Sequence, residues 1–467
     1  MKQLVVRPGS ALRGEGSVPG DKSISHRALL LSALAPGQTL IRGWLPAEDC
    51  RATLRCVRAL GVRVEERERP PTDGRPAGTA VDLLVDGVGM DGLREPDNVL
   101  DCGGSGTTMR LLAGILAGQP FASMLTGNDA LRRRPMDRVA EPLRRMGATV
   151  LGRAGGRLPP LAIQGGRLVG IYYPLPVASA QVKSALLLAG LFARGETIVL
   201  EPGPARDHTE RMLCAFGVRL EREGPLIRLP GGQTLQEMEG VALDIPADIS
   251  SAAFLLVAAA IVPGSEVRVR GVGINPTRTG WLDLLAAMGA DLEVAGPGAE
   301  DHRRPWDPRL APPPSPVGEP TADLIGRPGA LRGIEIAGDP VVRAIDEFPI
   351  LAVAATQAWG TTVIREAAEL RVKESDRIAA VAMELGRMGA RVEELPDGLI
   401  IHGLTPLVGT VVDSHRDHRL AMALAVAGLV ARGETVVRNA DVIHDSFPGF
   451  VEVMQALGAD IQWQEQP

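Results

Sequence analysis

One pattern recurs six times along this chain and limits what it can fold into. A run of small apolar residues ends near a glycine, at Gly37, Gly118, Gly195, Gly264, Gly360 and Gly433, and a strand-like stretch follows each. A second, amphipathic run then closes on a glycine pair: Gly61-Val62, Gly147-Ala148, Gly217-Val218, Gly289-Ala290, Gly389-Ala390 and Gly458-Ala459. The two glycines of a unit lie 22 to 29 residues apart and the units recur every 70 to 100 residues or so, the mark of internal repetition. Each unit reads as helix, glycine cap, strand, helix, glycine cap, strand. Six such units predict an α/β chain whose sheets are covered by helices.

What stands before each first helix is less uniform. The six openings are Asp21-Lys22-Ser23, Gly104-Ser105-Gly106-Thr107, Ser179-Ala180-Gln181, Asp248-Ile249-Ser250-Ser251, Asp346-Glu347-Phe348-Pro349 and Asp417-His418-Arg419. Helix capping accounts for Asp, Ser and Gly at these places, but not for Lys22, Gln181 or Arg419. Several second helices open with charge as well, at Arg132-Arg133-Arg134-Pro135, Arg206-Asp207-His208-Thr209-Glu210, Asn275-Pro276-Thr277-Arg278 and Arg371-Val372-Lys373-Glu374-Ser375-Asp376-Arg377. If these N-termini face one cleft, they gather into a cationic basin with a few carboxylates, suited to a highly anionic substrate. The net charge of −6 means that such a basin must be local, and it argues against a general affinity for nucleic acid or acidic membranes. Lysine stands only at positions 2, 22, 183 and 373 among 50 basic residues. At Lys22 and Lys373 a compact ammonium is expected where a guanidinium fork would not fit.

Other chemistries find little support. The longest apolar runs, such as Ala252 to Val262, are about half of a membrane span, and Met1-Lys2-Gln3-Leu4 lacks a signal-peptide core, so the cytoplasm is the expected location. Cys50, Cys56, Cys102 and Cys214 show no paired spacing and are expected reduced and mostly packed. Asp21 stands where a phosphate-binding loop of the nucleotide type needs its second glycine. Gly103-Gly104-Ser105-Gly106 lacks the third glycine of a dinucleotide fingerprint, and no Gly-x-Ser-x-Gly elbow is present. His415 and His418 make the only suggestion of a metal site, and capping or anion binding explains that helix opening more simply. Asp346 and Glu374 are the candidates for proton transfer, against the plainer reading that both only neutralise nearby arginines. Lys373 and Arg377 favour an ionised Glu374, so burial or bound substrate must offset them if it is to donate a proton. The proline-rich stretch 296–320 reads as a surface insertion.

The motifs Gly20-Asp21-Lys22-Ser23-Ile24-Ser25-His26-Arg27, Gly106-Thr107-Thr108-Met109-Arg110, Arg134-Pro135-Met136, Asp346-Glu347, Arg371 to Arg377 and Asp417-His418-Arg419 together resemble the 5-enolpyruvylshikimate-3-phosphate synthases, in order and over nearly the whole chain. The resemblance implies a two-domain inside-out α/β barrel built from six repeats, three per domain. Residues 1–20 with 246–467 would form one domain and 21–245 the other. It implies transfer of the enolpyruvyl group of phosphoenolpyruvate to the 5-hydroxyl of shikimate 3-phosphate, without metal or organic cofactor, by a monomer. Lys22, Ser23, Arg27, Ser179, Gln181, Arg206, Asp346 and Lys373 would bind shikimate 3-phosphate. Lys22, Gly106, Arg134, Gln181, Arg377 and Arg419 would bind phosphoenolpyruvate. Asp346 would accept the hydroxyl proton, Glu374 would handle the proton at C3, and Lys22 would join them as a catalytic group. Two departures stand out: Gly104 where the family commonly has asparagine, and Asp445 where the enteric branch has a lysine. Two rivals are the transferase acting on UDP-N-acetylglucosamine, whose loop cysteine has no counterpart after Arg132 to Arg134, and a non-catalytic repeat scaffold, which would have no need of Asp346, Glu374 and the lysines together.

Overall fold

A computed structural model of the chain describes residues 2–68, 81–238, 242–296, 303–307 and 319–465. It contains six sheets, five of four strands and one of five. The second unit shows the plan. Strand Leu100–Asp101 leads into helix Gly106–Ala117 and returns as Ala122–Thr126, parallel to the first with Leu100 opposite Leu125. Helix Asp137–Met146 follows, then Thr149–Gly152 and Leu158–Gln164, the last pairing antiparallel with both Ala122–Thr126 and Thr149–Gly152. Each unit therefore carries two more strands than the repeat pattern predicted. One is a short edge strand such as Leu100–Asp101, too brief for periodicity to mark, and the other an interior strand such as Leu158–Gln164 that the glycine pattern did not reach.

Six helices are central: Lys22–Leu34, Gly106–Ala117, Ala180–Phe192, Ile249–Ile261, Phe348–Thr356 and His418–Gly428. They are apolar almost all round, and every residue of Phe348–Thr356 and of His418–Gly428 is buried, as expected of helices enclosed by sheets. Close approach is enforced at Gly114, where a Cβ would lie 2.2 Å from Ala185 O on the neighbouring central helix. The outer helices close as expected, since Gly61, Gly147, Gly217, Gly289, Gly389 and Gly458 all take positive φ. Of the first glycines only Gly118 caps its helix; the other five lie beyond the helix end. The helix ends at Leu34, for example, while Gly37 lies inside strand Pro36–Trp44 at φ +78, where it turns the chain into the strand.

Strands exchanged over long distances complete three of the sheets. Ala242–Asp244 pairs parallel with Pro36–Trp44, and Arg13–Gly16 pairs parallel with Glu266–Gly273. Lys2–Arg7 inserts antiparallel between Thr435–Arg438 and Asp460–Glu465. The apolar side chains form two cores, one from Ile24 to Ile245 and one that joins Leu4, Val6, Leu12 and Val18 to residues from Ala247 to Ile461. Two strands cross between them side by side: Asp21 N–H donates to Pro246 O and Asp248 N–H to Pro19 O, each at 2.8 Å. A Cβ at Gly20 would sit 2.2 Å from Gly43 O, so this crossing admits only glycine. Most of the stretch 296–320 lies outside the described residues; within it, Arg304–Pro305 adds an edge strand and Trp306 Nε1 donates to Asp283 at 2.8 Å. Among the described residues no helix is long and apolar enough to cross a membrane.

Candidate active site

The central helices of both cores point their N-termini into one cavity of about 470 Å³. In five of the six the residue before the helix is committed to capping. Asp21 accepts from Ile24 N, Ser105 from Thr108 N, Ser179 from Val182 N, Asp248 from Ser250 N and Asp417 from Arg419 N. The fifth helix differs, because Pro349 sits in its first turn, where it removes one N–H that needs a partner, and Glu347 makes no side-chain cap. Asp346, one residue before Glu347, faces the cleft.

It meets four cations there. Arg206 pairs with Oδ2, while Arg377 Nη1 and Lys373 Nζ approach Oδ1 at 3.3 and 3.4 Å; Arg419 Nη2 is 3.8 Å from Oδ2. Burial alone would raise its pKa, but Lys373, Arg206, Arg419 and Arg377 together hold the carboxyl well below the usual range. Glu374 is treated alike. Arg377 Nη2 lies 2.8 Å from its Oε2 and Arg134 Nη2 3.0 Å from its Oε1. Against burial, Arg377 and Arg134, with His418 and Lys373, keep it well below its ordinary value.

The cations are not equally free. Arg377 is fully buried with Asp417, Nε to Oδ2 at 2.7 Å, and breaking such a pair costs about 3–5 kcal/mol. It is a fixture. Arg134 and Arg206 keep about a fifth of their side-chain surface in solvent and hold their carboxylates from the opposite core. They are able to turn to a ligand. Lys22 spans the same gap, with Nζ 2.5 Å from Asp49 Oδ2 and donating to Asp445 O at 3.2 Å. Although burial opposes it, Asp49 raises the Lys22 pKa. Asp445 meets Lys22 through its backbone, and burial with the Asp49 charge pushes its own carboxyl up to about 6.

Of the residues expected in the site, Lys22, Ser23, Gly106, Arg134, Ser179, Gln181, Arg206, Asp346, Lys373, Glu374, Arg377 and Arg419 all line the cavity. Arg27 does not. Its guanidinium turns into the wall, Nε donating to Thr209 Oγ1 at 2.7 Å, Nη1 to Ser23 O at 2.9 Å and Nη2 to Ser184 Oγ at 2.8 Å, so it buttresses Ser23. At Gly106 a Cβ would lie 2.9 Å from Arg110 Nη1 and 3.3 Å from Arg134 Nη1, so the bare backbone leaves room for both guanidinium groups. At Gly104 a Cβ would lie 3.2 Å from Asn128 Nδ2, so an amide from another loop approaches that vacated place.

The cavity also holds residues the sequence did not single out. Arg110 donates to Gln181 Oε1, while Gln181 Nε2 donates to Thr107 Oγ1 at 2.8 Å, which fixes the amide orientation. Burial, with Arg134 and Arg138 nearby, pushes Arg110 down to about 10. Its signal was its place one turn beyond Gly106 on an otherwise apolar helix. Asp49 gave only the signal of an acid in a helix first turn, which is ordinary. The histidines part company. His415 Nε2 lies 2.8 Å from the buried Glu384, whereas His418 lines the cavity, its pKa lowered to about 3 by burial and by Lys22. Among the described residues no group of three or more His, Cys, Asp or Glu is placed to hold a metal ion, and none of the four free cysteines lines the cavity.

This chain resembles known proteins over its length. Residues 6–454 match the family described as EPSP synthase (3-phosphoshikimate 1-carboxyvinyltransferase). A 3-phosphoshikimate 1-carboxyvinyltransferase of Desulforamulus reducens is 52% identical over 97% of this chain and 99% of its own. One from Synechococcus sp. (strain JA-3-3Ab) is 53% identical over 97% and 96%. The solved structure of EPSP synthase from Acinetobacter baumannii superposes with a TM-score of 0.83 at 44% identity, covering 100% of both chains.

Proposed function

Since the chain belongs to the EPSP synthase (3-phosphoshikimate 1-carboxyvinyltransferase) family, we propose from the geometry of its cleft how the residues divide the reaction. The enzyme transfers the enolpyruvyl group of phosphoenolpyruvate to the 5-hydroxyl of shikimate 3-phosphate and releases phosphate. In this reading Asp346 takes the proton of the attacking hydroxyl, and Glu374 delivers a proton to C3 of phosphoenolpyruvate and removes one when phosphate leaves. Lys22 reaches both ligands. Ser23, Ser179, Gln181, Arg206 and Lys373 hold shikimate 3-phosphate, with Arg27 acting through Ser23. Gly106, Arg134, Gln181, Arg377 and Arg419 hold phosphoenolpyruvate.

The observation that carries this reading is the freedom of Asp346. Unlike Asp21, Asp248 and Asp417 it makes no helix cap, and it is set among four cations. Those cations pose a difficulty, because while they pair with Asp346 and Glu374 they make the two carboxyls weak bases and poor acids. Substrate removes it. Each ligand brings a phosphate and a carboxylate, which compete for Arg206, Lys373 and Arg134 and add negative charge beside the acids. Both effects raise the carboxyl pKa values toward the working range.

We also propose that the two cores are two bodies, residues 1–20 with 246–467 and residues 21–245, which close over the ligands and exclude water. In this reading the protein works as a monomer, and its biosynthetic role supports the cytoplasm as its place. The test is phosphate release from phosphoenolpyruvate with shikimate 3-phosphate and, in parallel, with UDP-N-acetylglucosamine as acceptor. Release with shikimate 3-phosphate alone is expected. Release with the sugar nucleotide, or with neither from folded protein, overturns the reading.

A further inference from the structure

Lysine is kept at four positions in a chain that otherwise uses arginine, and only Lys22 and Lys373 face the cleft. Lys2 lies on an exposed end of the first strand. Lys183, on the central helix Ala180–Phe192, has no exposed surface at all. A fully buried ammonium needs a reason.

Its ammonium sits in ion-pair contact with two carboxylates, 2.8 Å from Glu201 Oε1 and 2.6 Å from Glu210 Oε1, and donates a hydrogen bond to Ala205 O at 3.3 Å. Glu201 and Glu210 are themselves buried, and Arg222 closes the charge balance from the surface, with Nη2 3.0 Å from Glu201 Oε2. The three partners are the start, middle and end of one segment, 201–210. That segment has no strand or helix before His208, so its path is set by what it is tied to. The next residue after Ala205 is Arg206, which crosses to Asp346 in the opposite core. An arginine at 183 does not reproduce the lysine, because its planar fork is larger and cannot set one compact charge between three partners.

We infer that Lys183 is a positioning residue for the transfer reaction: by pinning segment 201–210 at three points it fixes where Arg206 enters the cleft, and so how tightly shikimate 3-phosphate is held. This rests on the reading that Arg206 binds that substrate. Phosphoenolpyruvate is held by groups that Lys183 does not touch, so the effect is confined to one substrate.

The experiment is a double-mutant cycle of Lys183→Arg with Arg206→Ala, with KM measured for each substrate separately. Lys183→Arg is expected to raise KM for shikimate 3-phosphate at least about tenfold, as misplacement of a substrate-holding group does, with KM for phosphoenolpyruvate within about twofold of the parent. In the Arg206→Ala background the same substitution should have no further effect on KM. An unchanged KM for shikimate 3-phosphate in folded Lys183→Arg, or an equal rise in both backgrounds, overturns the proposal. If Lys183→Arg does not fold, Glu201→Gln decides the matter by the same cycle, since it keeps the shape and removes one anchor. Should Arg206→Ala alone leave KM for shikimate 3-phosphate unchanged, the assignment of Arg206 has failed instead.

Discussion

The wall of the cleft contributed by residues 21–245 presents five cations, Lys22, Arg110, Arg134, Arg138 and Arg206, against the single carboxylate of Asp49. The facing wall presents Arg278, Lys373, Arg377 and Arg419 against five carboxylates: Asp248, Asp346, Glu366, Glu369 and Glu374. The same repeat builds both, yet one wall is an excess of donors and the other an almost balanced mixture. The excess leans across: Arg206 reaches Asp346, Arg134 reaches Glu374 and Arg138 reaches Glu369. An arriving anion therefore does two things at once. It takes cations from the first wall and leaves acids on the second less neutralised. On the proposed assignment, binding and acid–base chemistry are thereby linked, although their residues stand on different walls.

If the division is right, damage to the second wall should fall on turnover. Asp346→Ala is expected to lower kcat at least about 100-fold while the affinity for shikimate 3-phosphate, by calorimetry, stays near normal. Retained turnover would remove Asp346 from the base role and dissolve the contrast. Damage to the first wall should fall on binding. Arg134→Gln leaves Glu374 with one cation fewer and removes a mobile donor, so KM for phosphoenolpyruvate should rise roughly 30-fold or more, as loss of one charge-paired hydrogen bond does. A fall in kcat with unchanged KM would put Arg134 on the chemical side.

The smallest effect concerns the seam between the walls. Burial and the Asp49 charge raise the Asp445 carboxyl to about 6 from an ordinary 3.8, so the folded state holds its proton more tightly than the unfolded chain does. Ionised Asp445 then opposes folding. That opposition is absent below about pH 4, grows as pH rises through 6 and is complete above it. Asp445→Asn should stabilise the protein at pH 8 by on the order of 1 kcal/mol and have no effect at pH 4, read as the midpoint of urea unfolding. Equal stability of the two proteins at pH 8 would show that Lys22 already neutralises the acid.

Much of this was legible in the sequence because helices and their ends are local. The six repeats, the outer-helix glycines and the polar openings at Lys22, Gly106, Gln181, Asp346 and Arg419 all follow from spacing and residue type. The short strands, such as Leu100–Asp101, escaped because two residues carry no periodicity. Arg27 looked like a ligand because it shares a helix opening with Lys22 and Ser23, but a reach of one further turn sends it toward Thr209 and Ser184. Asp49 and Arg138 were invisible for the opposite reason. Nothing about an acid or a base in a helix first turn says that a Lys22 or a Glu369 lies across from it, since those pairings depend on how the units face.

The exchanged first strand has a consequence for the making of the protein. Arg7 stands 427 residues before Glu434, with which it pairs, and strand Lys2–Arg7 has no other sheet to join. On a ribosome adding about 5–20 residues per second, that strand waits roughly 20 to 90 s for its partners. Throughout that time Leu4, Val5 and Val6 are an unpaired apolar edge, open to any other nascent strand. Lys2 and Arg7 bracket them with like charge, which repels a second copy of the same segment and guards it until the last sheet closes.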